Sequence, residues 1–164
     1  MVRIAVDLQP LQSSSSRGRG IGRYVQEVLQ RLLAKPTNVE YRLYAHPALP
    51  EPELRLPEGM HIHALPFGEN RAINEMAYTA TLLADRADAV FLTSPLELTE
   101  PVVPDFESFP GALYTIAYDL IPFIFAERYL RDNDSRTLYA RRLRNLRRSD
   151  RVFAISEVTR RDTI

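Results

Sequence analysis

The 164-residue chain carries 21 Lys+Arg against 21 Asp+Glu, with 45% hydrophobic and 26% charged residues. That length supplies one well-buried domain and is short for two, and zero net charge gives no bulk attraction to nucleic acid. The absence of cysteine excludes disulfides, zinc-thiolate sites and thiol catalysis, and with neither a signal-peptide pattern nor a run of about 18 apolar residues a cytoplasmic protein is expected.

Val2 to Asp7 is nearly continuous in apolar character, as a strand buried on both faces would be, and Asp7 closes it. A polar, glycine-rich stretch, Ser13 to Tyr24 (SSSSRGRGIGRY), then leads into a helix whose Ile21, Tyr24, Val25, Val28, Leu29 and Leu32 share one face, with Pro36 ending it. Val39 to Ala45 is a second strand and His61 to Leu65 a short third, with Ile62 and Leu65 as its buried side chains. Arg71 to Arg86 reads as a helix packing Ile73, Met76, Ala77, Ala80 and Ala84 against a sheet. Asp88 to Thr93 and Ala112 to Ala117 are buried strands, separated by the proline-rich connection Ser94 to Gly111. A connection that long inside a compact domain is commonly functional or mobile. Helices follow at Phe123 to Tyr129 and Ser135 to Arg148, then a strand at Arg151 to Ile155 and a helix opened by Ser156 and Glu157 that Ile164 cuts short.

Alternating helices and apolar strands, with connections long enough for crossovers, give a doubly wound α/β fold with a mostly parallel sheet and helices on both faces. Ligands of such sheets bind beyond the carboxyl ends of the strands. The glycine loop, Tyr118 with Asp119, and Ser156 with Glu157 all follow strands, so all three converge on that edge.

The glycine loop has the composition of an anion site. Gly18, Gly20 and Gly22 allow close backbone approach, the helix start offers unpaired N–H groups, and Arg17 and Arg19 add forked cationic donors. A flexible polar loop capped by a helix is the plain alternative. A Walker loop would need Lys-Ser/Thr after its last glycine, whereas Gly22 is followed by Arg23 and Tyr24. A dinucleotide fingerprint would need the glycines directly after the strand and an acid ending the second strand. Here ten residues separate Asp7 from Gly18, and Glu40 begins the second strand, so an oxidoreductase is a distant reading.

Asp119, followed by Pro122, is placed either to cap a helix or to orient a substrate hydroxyl and accept its proton. Ser156 and Glu157 pose the same choice between cap and cleft residue. His46, His61 and His63 have no metal-ligand spacing, and no metal is expected. Arg141, Arg144 and Arg148 form one stripe opposite Leu138, Tyr139, Leu143 and Leu146. The stripe is either a solvated face or a contact for an anionic lipid surface, and nucleic acid is disfavoured because no aromatics interleave with the arginines.

Taken together, RIAVDLQPL, GRGIGRY, YDLIPFIFAERYL and VFAISEVTRRD resemble, in order and spacing, the N-terminal domain of a retaining GT-B glycosyltransferase of family 4. The resemblance spans Val2 to Ile164. It implies a Rossmann-like, acceptor-side domain, one half of a GT-B fold, whose C-terminal nucleotide-sugar domain is absent from this chain, so the chain alone is expected to be inactive. It implies transfer of a sugar from a nucleoside-diphosphate sugar to a hydroxyl acceptor, a saccharide or lipid-linked saccharide, with retention and without metal or other cofactor. By the same resemblance Gly18, Gly20 and Gly22, with Arg17 beside them, approach the donor phosphate or sugar. Asp119 matches the motif's acid, Tyr118 stands where many relatives carry His, and Ser156 and Glu157 match the SE step near the cleft. Cytoplasmic placement is expected, with peripheral contact at the inner face of the membrane through Arg141, Arg144 and Arg148. The alternative is a non-catalytic Rossmann-like module that binds a saccharide or anionic lipid.

Overall fold

The computed structural model describes residues 1–35 and 37–163. Six strands, β1 (Val2–Asp7), β2 (Val39–Ala45), β3 (Ile62–Ala64), β4 (Ala89–Leu92), β5 (Ala112–Ala117) and β6 (Arg151–Ala154), pair in the order β3-β2-β1-β4-β5-β6, with every pairing parallel. The helices are α1 (Gly20–Leu33), α2 (Arg71–Ala84), the single turns α3 (Ile121–Ile124) and α4 (Ala126–Tyr129), α5 (Asn133–Arg147) and α6 (Glu157–Asp162). This is the expected doubly wound, Rossmann-like α/β architecture, with the sheet wholly parallel. α1 stops at Leu33, and Pro36 and Ile164, expected to end the first helix and interrupt the last, lie outside the described residues.

Side chains of successive strand residues point to opposite faces, and the core divides accordingly. On one face Val6, Leu43 and Ala45 pack against Val25, Leu29 and Leu33 of α1. On the other Ala5, Val90, Leu92 and Leu113 meet Tyr78 and Leu82 of α2 and the buried Val103, Phe106 and Phe109 of the 93–111 connection. α5 lies on this second face, where Leu146 packs on Ala117 and Leu120.

α2 turns the other way from its expected orientation. Asn74, Glu75, Tyr78, Thr79 and Leu82 face inward, while Ile73, Met76, Ala80 and Ala84 are exposed and Ala77 is half-buried. Polar partners decide the orientation. Asn74 exchanges hydrogen bonds with both backbone groups of Gly68 at 2.8 and 2.9 Å, the Thr79 hydroxyl exchanges two with the backbone of Asp105, and buried Glu75 pairs with Arg141. Turned outward, α2 would forgo these bonds, each worth about 0.5–1.5 kcal/mol net.

The 93–111 connection is fastened along its length. The Gln9 amide, fully buried, donates to the Val102 carbonyl (2.7 Å) and accepts from its N–H (2.8 Å), and the Arg142 guanidinium donates to the carbonyls of Pro101 (2.7 Å) and Pro95 (3.5 Å).

Coverage of the sheet is uneven. Beside α1 the face formed by Ile4, Tyr41, Phe91, Tyr114, Ile116 and Phe153 lies at the floor of an apolar groove of 310 Å³. Edge strand β6 buries little, and Phe153 is 53% exposed.

A β-carbon on Gly22 would sit 2.6 Å from the Ser16 carbonyl oxygen and 3.2 Å from Arg17 Cα, whereas one on Gly20 meets nothing within 4 Å. Urea unfolding should therefore find Gly22→Ala destabilised by about 1–3 kcal/mol. Gly20→Ala should be neutral or more stable by about 0.4–1 kcal/mol. Equal losses at the two positions would contradict this account of the loop.

Candidate functional site

All six strands being parallel, their carboxyl ends lie along one edge, and a cleft of 490 Å³ opens there. Its walls come from three segments distant in sequence: Ser15, Ser16, Arg19 and Ile21 of the glycine loop, 94–99 of the long connection, and Tyr118, Asp119 and Pro122 after β5. Tyr129 and Tyr139 complete it.

The glycine loop descends from β1 through a chain of turns in which Arg17 N–H donates to Ser13 O (2.8 Å) and Arg19 and Gly22 N–H both donate to Ser16 O. Gly18 adopts φ +75°, the left-handed region that glycine enters without steric cost. Arg19 stands at the N-cap of α1 in extended conformation and provides no side-chain cap. The N–H groups of Gly20 and Ile21 consequently have no acceptor among the described residues, at the positive end of a 14-residue helix. Arg19, whose role beside Arg17 was to add charge, is the arginine that reaches the cleft. Arg17 pairs with Glu53 (3.1 Å) and, together with Gly18 and Gly22, lines a separate crevice of 180 Å³ on the other side of the loop. The loop thus splits its expected ligands between two surfaces.

Glu97 lies in the long connection and accepts from the hydroxyls of Ser13 and Ser15, which ties the cleft wall to the glycine loop. Its Oε2 is buried without a hydrogen-bond partner among the described residues, as is the Tyr139 hydroxyl, and both residues line the cleft. Burial, with the nearby Asp119 carboxylate, pushes the Tyr139 phenol up to about 12. Buried polar atoms are rarely left unpaired in a folded protein, and Glu97 Oε2 and Tyr139 Oη are two such atoms on residues that line the cleft.

Asp119 is exposed on the cleft wall, one residue earlier than a cap would sit. Leu120 holds the N-cap of α3, and the Asp119 carboxylate accepts from the Ile121 N–H at 3.0 Å. Its second oxygen accepts from no donor among the described residues. Tyr118 directs its hydroxyl inward to the Thr93 carbonyl (2.9 Å), with its ring edge-on to Tyr24 at 5.9 Å. Burial raises its phenol well above the ordinary range, so Tyr118 anchors β5 to β4 and holds its proton. Ser156 caps α6 by accepting from Thr159 N–H (3.1 Å), and Glu157 pairs with Arg160 (2.7 Å) and Arg161 (3.5 Å). Neither residue lines the cleft, but the Thr159 hydroxyl donates to Tyr118 O at 2.7 Å and couples that helix to it.

Beneath the cleft, Arg142 is 2% exposed, donates to the Pro95 and Pro101 carbonyls, and has its charged form favoured at longer range by Glu75 and Glu97. Burial first, then the Arg71 charge, lowers its pKa to about 10, and its Nε has no partner among the described residues. Its position on α5, between the buried Tyr139 and Leu146 at helical spacing, is the signal that sets it apart from the solvent-facing arginines. Within the expected stripe, Arg141 is committed to buried Glu75, and Arg144 and Arg148 line a polar crevice that also holds Asp105 and Glu107. The acid Glu40 sits at the opposite edge of the sheet, held at 2.9 Å by both Arg3 and Arg42, far from any position that grips a ribose.

Among the described residues no three His, Asp or Glu side chains gather as a metal would require, and no helix is long and apolar enough to cross a membrane. No family model, curated protein or solved structure matches the chain.

Asp7, fully buried at the end of β1, is raised from 3.8 to about 7, chiefly by burial against the lowering effect of its hydrogen bonds from Gln9. The folded state therefore holds a proton that the unfolded chain has released. Stability from this group is complete below about pH 4 and is lost as pH rises through about 7, on the order of a few kcal/mol in all. Urea titrations across that window should show wild-type stability falling with pH and a flatter profile for Asp7→Asn. Parallel profiles would mean that Asp7 ionises as readily in the fold as outside it.

Proposed function

We propose that this chain is the acceptor-side half of a retaining GT-B glycosyltransferase of family 4, which moves a sugar from a nucleoside-diphosphate sugar to a hydroxyl of a saccharide or lipid-linked saccharide. The observation that carries the reading is the cleft at the carboxyl edge of the sheet, where the start of α1, Asp119 and Glu97 share one cavity. Its chemistry is divided in a way that suits this reaction. On the glycine-loop wall, Arg19 and the N–H of Ile21, with that of Gly20 next to it in the chain, form a cationic donor surface for a departing diphosphate. The carboxylates of Asp119 and Glu97, the Tyr139 hydroxyl and the exposed Tyr129 ring offer acceptors and a flat platform suited to a hydroxyl-rich ligand.

In this reading Asp119 takes the acceptor hydroxyl, orients it and draws on its proton as the bond to the sugar forms. The diphosphate leaves toward Arg19 and the helix start, where the positive dipole is fixed before reaction and no reorganisation is needed. A second α/β domain supplies most of the grip on the nucleotide. Arg144 and Arg148 are the two members of the stripe left to meet an anionic surface, because Arg141 is held by Glu75.

The test is nucleoside-diphosphate release by the polypeptide encoded in the complete reading frame, with a panel of nucleotide sugars and saccharide acceptors. Acceptor-dependent release is expected, reduced about 10²-fold or more by Asp119→Asn with no change in thermal unfolding. A reading frame without a second α/β domain, or an Asp119→Asn variant as active as wild type, would overturn this assignment of the cleft.

A further inference from the structure

The outward surface of α2 is the reverse of what a water-facing helix presents. Ile73 is 62%, Met76 66% and Leu83 44% exposed, the remaining outward positions are mostly alanine, and the one carboxylate within the helix, Glu75, points into the protein. A surface helix places its apolar stripe against the core and its charges in water. Here the inward side carries Asn74, Glu75 and Thr79, and the outward side has no charge. Contiguous exposed apolar surface of this kind marks an interaction site.

We propose that α2 pairs with α2 of a second copy of this chain, antiparallel, about a two-fold axis passing near residue 78. Three features of the helix fit that occupant. An isologous contact requires the surface to complement itself, residue i meeting j while j meets i. Ile73 and Leu83 lie equally far on either side of residue 78, so large side chains meet at both ends. Met76 and Ala80 are likewise symmetric about it, so each methionine meets the space left by an alanine and the helices can approach closely. The ends match in charge as well: exposed Glu69 and Arg86 fall on almost the same centre, and neither is in an ion pair among the described residues. In the pair each Glu69 faces the partner's Arg86, at both rims. A membrane surface fits less well, since helices that lie in a bilayer interface carry Lys or Arg along their polar side. The only cation within α2, Arg71, donates to the carbonyls of Thr99 and Pro101.

No residue of α2 lines the cleft, so this contact is independent of the reading of that site. Sedimentation velocity of the 164-residue chain should show a species of twice the 18.8 kDa chain mass that dissociates on dilution. Met76→Glu should weaken association at least about tenfold by placing an uncompensated charge in the contact. Because Met76 is exposed in the monomer, its circular dichroism and urea midpoint should not move. Glu69→Arg and Arg86→Glu should each weaken the dimer, and the two together should restore it. A wild-type chain that stays monomeric up to about 100 µM overturns the proposal, including one that instead floats with phosphatidylglycerol vesicles. A dimer indifferent to Met76→Glu and to both charge variants overturns it equally.

Discussion

A guanidinium withdrawn from water holds the carboxyl edge of this sheet together. Arg142 reaches from α5 beneath the cleft to the carbonyls of Pro95 and Pro101, and so ties the helix before β6 to the connection after β4. A buried cation is tolerated only where its charge is answered, and Glu75, Glu97 and, once ionised, Asp7 favour the charged form from beyond ion-pair distance. Each of those acids has a second duty: Asp7 ends the central strand and accepts from Gln9, Glu75 fixes the inward side of α2 through Arg141, and Glu97 holds the glycine loop by two serine hydroxyls. The fold and the cleft therefore share one electrostatic centre.

That sharing explains how a proline-rich connection comes to serve as a rigid wall. Four prolines limit its backbone choices and remove donors. Gln9, Thr79, Arg71 and Arg142 then answer much of the remaining backbone from buried or half-buried positions. Apolar Val103, Phe106 and Phe109 insert between these polar ties. Segments 94–99 can then face the glycine loop without needing to fold on a ligand first.

Much of the architecture is legible in the sequence because parallel strands buried on both faces leave unbroken apolar runs. β1, β2 and β5 have the expected bounds for that reason. α2 misleads because hydrophobic spacing identifies a face without saying what lies behind it. Tyr78 and Leu82 carry the inward side with polar residues around them, and the connection they pack on lies 20 or more residues further along the chain. The site is legible as an edge and as two of its three walls, the glycine loop and Tyr118 with Asp119; the third wall is 94–99, while Ser156 and Glu157, expected at the same edge, do not line the cleft. Which loop atoms face the cleft is a matter of single turns: the bonds to Ser16 O send Arg19 and Ile21 one way and Arg17 and Gly18 the other. Glu97 and Tyr139 leave no pattern of their own, one lying in an irregular stretch and the other resembling an ordinary core aromatic.

The meagre burial of β6 bears on how its alignment is chosen. In most strands a slip of one residue would carry the apolar side chains into water and is forbidden for that reason. In β6 Val152 is 37% and Phe153 53% exposed, on opposite faces, so hydrophobicity does little to distinguish one register from the next. The distinction falls to the residue just before it. Asp150 grips Leu113 twice, its carboxylate accepting from the Leu113 N–H at 2.8 Å and its own N–H donating to the Leu113 carbonyl at 2.8 Å. A peg at the start of the strand thus measures out where its far end falls, and with it the placing of Ser156 and the turn that hangs Thr159 on the back of Tyr118.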